Sequence, residues 1–536
     1  MGNTKYIVIV GSIMSGLGKG VLTSSIAKIL QMRDYNVFPL KFDGYLNVDC
    51  GTMNPFRHGE VFVLDDGTEV DMDFGTYERF LNINLPGSAS ITGGKLFQKI
   101  IEKERNGDFL GRDVQFIPHL TNEIIERIKK YSNETKADIV IIEVGGTAGD
   151  LENSYFLEAM RQLSGEEQVV FIQLTYVPSI SPKEQKTKPT QHANRLLLSM
   201  GIKPEIIITR EQEELSEDAK EKIAMYCNVD KDAVFDDPLL ETIYELPLVL
   251  EKQGLYSIIA KKLGLNEKKN ANWDEWKKRV NRIINPKHII NIALIGKYTK
   301  VKDAYVSVLE AFSHAGAEVN AKVHCDLVDA EKIESGDASE ILKRYNAIIV
   351  PGGFGKRGIE GKIAAIKYAR EHGIPYLGLC LGMQLMIIEY ARNVAKIEDV
   401  NSTEFDDKCA NPVIDILPEQ KQITKKGATM RLGDYKMNLK IGTTAYNNYG
   451  EQSIFERHRH RYEVNPDFVA KLVGAGLVIS GTHPKNEITE MVEWKETFGI
   501  ATQAHPELKS RLEKPAPLFV ALLKAALKLA SQIDDY

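Results

Sequence analysis

The chain holds only five cysteines (Cys50, Cys227, Cys325, Cys380 and Cys409), odd in number and nowhere in Cys-x-x-Cys spacing. That usage suggests neither a disulfide framework nor a zinc site. No apolar run is long enough to cross a bilayer, and the first residues pass directly into a strand pattern, so a membrane span, a signal segment and a lipid anchor are not expected. Excess charge is also scarce: 68 Lys and Arg against 74 Asp and Glu leave a net −6. This argues against broad non-specific nucleic-acid binding and leaves room for a local basic cleft around small anions. There is no internal repeat and no low-complexity tract. What remains is a chain of 536 residues, 43% hydrophobic and 26% charged, expected to fold as roughly two to four globular domains in a reducing cytoplasm.

Gly11-Ser-Ile-Met-Ser-Gly-Leu-Gly-Lys-Gly20 stands between the β-branched run Tyr6 to Val10 and a helical pattern with Leu22, Ile26 and Leu30 on one face. Strand, glycine loop and helix in that order let backbone N–H groups converge on a phosphate at the positive end of a helix, while Lys19 reaches the outer phosphates. A plain glycine-rich turn in a parallel sheet is the competing reading. The loop departs from the usual pattern at Ile13, which replaces a glycine, and at Gly20, which stands where Ser or Thr would hold Mg²⁺. The metal then needs oxygen ligands from elsewhere. Asn36 to Asp43 reads as a second strand ending in Lys41 and Asp43, at the end where a doubly wound sheet lines its ligand crevice.

Glu69-Val-Asp-Met-Asp73 alternates, and a period of two places Glu69, Asp71 and Asp73 on one strand face, a set of oxygen donors. The apolar run Ala137 to Glu143 ends in a carboxylate before Val144-Gly-Gly-Thr-Ala-Gly-Asp150, so Glu143 is paired with Asp73 as the magnesium carboxylates. Gln168 to Val177 is another strand. After it, the polar loop Ser181 to Gln191, with Lys183, Lys186 and Lys188, has the charge to clamp a second triphosphate. Gly264 to Pro286 is polar and helical, with Trp273, Trp276 and Val280 at helix spacing, and reads as a connector.

Beyond it the pattern restarts as a second α/β domain, with strands at His288 to Lys297, Lys322 to Asp326, Asn346 to Val350 and Pro375 to Cys380. Gly378-Leu-Cys-Leu-Gly382 turns sharply from strand to helix, which is the geometry of a nucleophile elbow. It sets Cys380 at a helix N-terminus, where thiolate is favoured. Downstream, His505-Pro-Glu507 offers an imidazole and a carboxylate to orient it. Pro351-Gly-Gly-Phe-Gly-Lys-Arg-Gly358 can present bare backbone N–H groups to an oxyanion. The run His458-Arg-His-Arg-Tyr-Glu463 either binds one small carboxylate or pairs locally. Pro517 to Ala530 is an amphipathic closing helix with Lys524 and Lys528 on one face.

Ser15-Gly-Leu-Gly-Lys-Gly20, Lys41 with Asp43, Gly51-Thr-Met-Asn-Pro55, His58-Gly-Glu-Val-Phe-Val63, Lys186-Thr-Lys-Pro-Thr-Gln191 and Gly378-Leu-Cys-Leu-Gly-Met-Gln384 occur in fixed order, and together they resemble the CTP synthase family across essentially the whole chain. The resemblance implies an α/β fold with two doubly wound parallel-sheet domains: a P-loop-type synthetase domain over 1–265, a helical linker over 266–288, and a class I glutamine amidotransferase domain over 289–536. It implies that ATP phosphorylates the 4-oxygen of UTP and that ammonia from glutamine displaces the phosphate. CTP would act as feedback inhibitor and GTP as activator, with a homotetramer as the family's expectation and no nucleic-acid or membrane partner.

Carried over by motif, the ATP site would comprise Ser15, Gly16, Leu17, Gly18, Lys19, Gly20, Val21, Lys41 and Asp73, with Mg²⁺ on Asp73 and Glu143. UTP or CTP would meet Ser15, Asp150, Leu151, Glu152, Lys186, Thr187, Lys188, Pro189, Thr190, Gln191 and Lys222. Glutamine would meet Gly353, Leu381, Gly382, Met383, Gln384, Glu404 and Arg461, beside the catalytic Cys380, His505 and Glu507. Two rival readings are another ATP-dependent amidotransferase and a nucleotide switch or filament protein with inactive sites. The Lys186 to Gln191 segment argues against the first. The intact Lys19, Asp73, Cys380, His505 and Glu507 argue against the second.

Overall fold

The computed structural model describes residues 4–181, 184–266, 268–297, 302–416 and 430–534. Lys183 of the expected clamp lies outside them. Packing divides the chain into two compact units, Met1–Cys50 with Thr76–Val280 and Gly51–Gly75 with Asn281–Tyr536. The linear division at residue 265 therefore differs from the division by packing. An early excursion joins the second unit. The connector helix Asp274–Ile284 buries Trp276 in the first, where the indole N–H donates to the Tyr244 carbonyl at 2.8 Å and the ring lies 5.8 Å from that of Phe80.

The first unit is built on a seven-stranded sheet in the order Val234–Pro238, Ile206–Glu211, Val169–Tyr176, Lys5–Gly11, Ile139–Val144, Val37–Asp43, Ser90–Thr92. Every neighbouring pair is parallel. Ile7, Val8 and Ile9 are all buried, as are Ile139 to Ile142. These runs are continuous rather than alternating because both faces of a parallel sheet are covered. The loops that follow Lys5–Gly11, Val37–Asp43 and Ile139–Val144 leave from the same edge of adjacent strands, which brings Lys19, Lys41 and Glu143 to one end of the sheet.

The second unit carries a nine-stranded sheet in the order Ala321–Asp329, His288–Gly296, Ala347–Val350, Tyr376–Leu379, Gly499–Thr502, Thr489–Glu493, Val478–Thr482, Arg431–Leu439, Ser453–His460. It is parallel from Ala321–Asp329 to Gly499–Thr502 and antiparallel beyond. Ile348 and Val350 pack on one face against helices Ile359–His372 and Leu381–Asn393. Ala347 and Ile349 pack on the other against Val306–Val319 and Pro517–Asp534. Lys524 and Lys528 of that last helix are exposed, as its amphipathic spacing predicts.

Gly51–Gly75 contributes a short hairpin, Phe62–Val63 against Glu69–Val70. Its turn lies hard against the strand Arg431–Leu439: a Cβ on Gly433, whose φ is +94°, would sit 2.6 Å from the Asp65 carbonyl oxygen. The alternation expected over Glu69 to Asp73 is corrected here. The strand stops at Val70 and a helix, Asp73–Leu81, begins three residues later, so Glu69, Asp71 and Asp73 do not share a strand face. Asp71 Oδ1 instead accepts from the Asp73 backbone N–H at 2.9 Å, a local turn bond of the kind that competes with strand pairing.

Candidate active sites

In the second unit the chain leaves Tyr376–Leu379, turns at Cys380 and enters Leu381–Asn393. Cys380 adopts φ 50°, ψ −99°, outside the ordinary regions for a residue with a Cβ. Its N–H is held by the Thr502 carbonyl at 2.7 Å. A Cβ on Gly382 would fall 2.2 Å from the Val350 carbonyl oxygen, so the first helical turn can approach the neighbouring strand only without one. Sγ lies 3.9 Å from the Arg459 carbonyl and 3.5 Å from Gln503 Nε2.

His505 follows Gly499–Thr502, the strand beside Tyr376–Leu379. Its Nδ1 sits 2.7 Å from Glu507 Oε1. An ionised carboxylate only accepts, so Nδ1 carries the proton and Nε2 is the working nitrogen. A Cβ on Gly352 would lie 2.7 Å from His505 Cε1 and 3.6 Å from Cys380 Cβ, so the glycine loop passes directly over both residues. Burial opposes charge on His505, but the Glu507 carboxylate and charge on Cys380 outweigh it and raise the imidazole to about 10. The favoured state at neutral pH is therefore an imidazolium, able to stabilise a thiolate and to protonate a departing amine.

Several residues of the basic run pair within the protein, one of them with a remote carboxylate. Arg459 Nε donates to Glu69 Oε1 at 2.8 Å, and His458 Nδ1 and His460 Nε2 are 2.9 Å apart. His460 Nδ1 donates to the Tyr462 carbonyl at 3.1 Å, which leaves His458 Nδ1 as the donor between the two rings. Burial first, then the nearby cationic groups, holds both rings well below the usual histidine range. Arg431 joins Glu463 and Glu490 at 3.0 and 2.6 Å. The neighbouring Arg457 donates to Asp65 Oδ1 at 2.6 Å while its carbonyl accepts the His505 N–H at 2.8 Å.

Around the glycine loop, Glu404 Oε1 accepts from the Gly355 N–H at 2.7 Å and Lys297 Nζ donates to the Phe354 carbonyl at 2.6 Å. Burial pushes the Glu404 carboxyl up, against the pull of Gly355, Lys297, Arg461 and Lys362. Burial, Lys297 and Arg357 together push Lys362 down to about 7. A Cβ on Gly353 would lie 3.4 Å from Leu381 Cδ2, and Leu381, Gly382, Met383 and Gln384 are buried. Lys297 and Lys362 were not anticipated from sequence. The available signal was a lysine on the otherwise apolar helix face of Ile359, Ile363 and Ile366.

In the first unit Gly18, with φ 91°, precedes helix Lys19–Gln31, and Gly16 also has a positive φ of 76°. Ser15 is exposed, Leu17 and Gly20 are buried and Val21 is half-buried. Lys19 Nζ donates to the Gly146 carbonyl at 2.7 Å, and a Cβ on Gly11 would come within 2.9 Å of that amine. Lys41 is the cross-strand partner of Glu143 and lies 3.7 Å from Asp43. Glu143 Oε2 accepts from Tyr77 at 2.5 Å and from Thr23 at 3.2 Å. Asp150 holds the intervening turn, accepting the Thr147 N–H at 2.6 Å and its hydroxyl at 2.9 Å, while Leu151 and Glu152 are exposed.

The polar loop before Gln191 is corrected in part. Lys188 already opens a helix, Lys188–Ser199, and Thr187, Thr190 and Gln191 are buried. Thr190 Oγ1 meets Thr175 Oγ1 at 3.1 Å and Gln191 Nε2 donates to Thr187 Oγ1 at 3.0 Å in the interior. Toward solvent, Lys186 pairs with Glu184, Lys222 pairs with Asp218, and Lys188 lies 5.5 Å from the Tyr226 ring centroid, with Pro189 half-buried.

Among the described residues no group of three or more His, Cys, Asp or Glu side chains forms a ready metal cage. The Glu143 carboxylate beside the glycine loop is the hard oxygen donor that a magnesium ion bound chiefly through substrate phosphates requires. Asp73 belongs to the excursion that packs with the second unit.

The chain matches the family model described as CTP synthase N-terminus over residues 5–265 and that described as glutamine amidotransferase class-I over residues 300–525. It is 49% identical over 534 residues to the CTP synthase of Methanocaldococcus jannaschii, covering 98% of both chains. To the CTP synthase of Carboxydothermus hydrogenoformans it is 49% identical over 530 residues, covering 98% of this chain and 99% of that one. A solved glutaminase domain of the Trypanosoma brucei protein with bound acivicin is 37% identical and covers 45% of this chain and 94% of that one, with a TM-score of 0.42.

Proposed function

The chain belongs to the CTP synthase family, and from that membership we propose that it aminates UTP to CTP in an ATP-dependent reaction, drawing ammonia from glutamine. It is a glutamine-hydrolysing ligase. The observation that carries the reading is the Cys380 elbow, strained at φ 50° and faced by a His505 whose Nδ1 is fixed on Glu507 at 2.7 Å.

Cys380 attacks the glutamine amide carbon, and the tetrahedral intermediate leans on backbone N–H groups of the glycine loop. His505 protonates the leaving nitrogen, and water then releases glutamate from the thioester. Gly353, Leu381, Gly382, Met383, Gln384, Glu404 and Arg461 position the substrate. In the synthetase domain, residues Ser15 to Val21 cradle ATP, and Lys19 and Lys41 take up charge on the phosphoryl group as it moves to the uracil 4-oxygen. Ammonia then displaces phosphate, giving CTP, ADP and phosphate. Asp73 and Glu143 would hold Mg²⁺, which would supply neutralisation of phosphate charge. Lys186, Lys188 and Lys222 meet the UTP triphosphate, with Thr187, Pro189, Thr190 and Gln191 shaping their helix start. Asp150, Leu151 and Glu152 serve CTP as feedback inhibitor. GTP activates, with Arg357 as a contributor, and the assembly is a cytoplasmic homotetramer.

The test is direct: purified protein with ATP, UTP, Mg²⁺ and glutamine should show the absorbance rise of CTP formation, with ADP and glutamate appearing in step. ATP turnover and glutamine hydrolysis that leave UTP unchanged would refute this substrate assignment.

A further inference from the structure

Gln503 is fully buried, two residues before His505, and was singled out by no motif. Its backbone N–H is anchored on the Glu490 carbonyl at 2.8 Å. Its side chain lies between two polar neighbours: Oε1 is 3.2 Å from Gln384 Nε2, and Nε2 is 3.5 Å from Cys380 Sγ.

Which end of each amide points where follows from one fixed acceptor. The Tyr462 carbonyl can only accept, and Gln384 Nε2 lies 3.2 Å from it. The nitrogen of Gln384 therefore faces Tyr462, and its second proton is directed at Gln503. Gln503 must answer with its oxygen, which turns its own nitrogen to the sulfur. Reversing Gln503 would set two amide N–H donors 3.2 Å apart and turn its carbonyl oxygen against the sulfur lone pairs. Both amide protons of Gln384 are engaged within the protein.

We propose that Gln503 is a catalytic residue of the glutaminase site: its amide N–H donates to the Cys380 sulfur and stabilises the thiolate, with Gln384 as the positioning residue that fixes the amide. This rests on Cys380 being the nucleophile. No proton leaves Gln503. The bond is strongest to the anion and weakens as the sulfur lone pair becomes the bond to the glutamine carbon. It complements His505 from within the protein.

The test uses the full-length protein and follows iodoacetamide modification of Cys380 by peptide mass spectrometry at a series of pH values. Gln503→Met keeps the volume and removes the donor. It should slow modification at pH 7 by about tenfold, the worth of one hydrogen bond to a charged group, with the rate recovering toward wild type as the pH rises. Gln384→Met, which frees the Gln503 amide to turn, should give a smaller slowing with the same recovery, and it carries the test if Gln503→Met does not fold. Modification of a folded variant at the wild-type rate, or a slowing that is equal at every pH, would overturn the proposal. If Cys380→Ala still hydrolyses glutamine, the nucleophile assignment itself fails, a result separable from either variant's pH profile.

Discussion

Arg459 Nε donates to Glu69 Oε1 at 2.8 Å, joining residues 390 positions apart in sequence. The carbonyl of the same arginine is the atom that Cys380 Sγ approaches at 3.9 Å. Two residues earlier, Arg457 repeats the arrangement, with its guanidinium on Asp65 and its carbonyl on the His505 N–H. The strand Ser453–His460 thus holds the histidine through its backbone and lies beside the cysteine sulfur, and the hairpin of Gly51–Gly75 holds the strand through its side chains.

Asp65→Ala should therefore damage glutamine hydrolysis without touching a reacting group. Arg457 is completely buried, and removing its carboxylate partner costs up to about 3 kcal/mol. Thermal unfolding together with glutaminase rate checks this: a lower melting temperature and a reduced kcat are expected, and a variant indistinguishable from wild type in both would show that the pair is ornamental.

Glu507→Gln removes the carboxylate that raises His505 to about 10. In the wild type the stabilisation from the charged imidazole is complete below its ordinary value near 6.5 and is lost as pH climbs through about 10. The variant should lose it at much lower pH, with glutaminase activity reduced roughly a hundredfold near neutrality. Monitoring unfolding and glutamine hydrolysis between pH 6 and 10 separates the outcomes, since matching profiles for the two proteins would refute the role of Glu507.

Glu143→Gln and Asp73→Asn should each raise the magnesium concentration needed for CTP formation, measured with free ammonia so that the glutaminase step is bypassed. Gly20 offers no hydroxyl in the glycine loop, and each change removes one of the two anionic ligands proposed. Wild-type activity at limiting Mg²⁺ would reject the assignment.

Asp150 and Glu152 should behave differently. Both Asp150 oxygens are occupied by Thr147, so Asp150→Ala loosens the turn and affects every nucleotide bound there. Glu152 is exposed, and Glu152→Ala should raise the CTP concentration for half inhibition roughly tenfold, as loss of one charge-assisted hydrogen bond predicts, while leaving the dependence on UTP nearly intact. Equal losses for UTP and CTP would argue that no separate cytosine pocket exists.

Local pattern was sufficient where chain neighbours make the structure. The strand, glycine loop and helix around Lys19, the elbow at Cys380 and the His505 to Glu507 pair are each continuous stretches of chain, and the period of apolar residues marked their flanking elements. It failed where the deciding partner is remote. Glu69 looked like one of three acidic residues on a strand face because Arg459 is invisible from its neighbourhood. Thr190 and Gln191 read as the end of a polar loop, whereas the helix Lys188–Ser199 folds back and sets Thr190 against Thr175 of the preceding strand. Gln503 carried no signal at all, since only the meeting of Gln384, Tyr462 and Cys380 gives its amide a direction.

The division of labour between the two domains is tested most directly by one paired assay: CTP formation by Cys380→Ala and Lys19→Ala, each with glutamine and with free ammonia at alkaline pH. Cys380→Ala lacks the nucleophile that opens the amide but keeps Lys19 and Glu143, so it should be inactive with glutamine and active with ammonia. Lys19→Ala should be inactive with both, because the phosphoryl transfer that creates the leaving group fails. A folded Cys380→Ala protein that binds ATP yet makes no CTP from ammonia would contradict the assignment of Cys380 to glutamine hydrolysis alone.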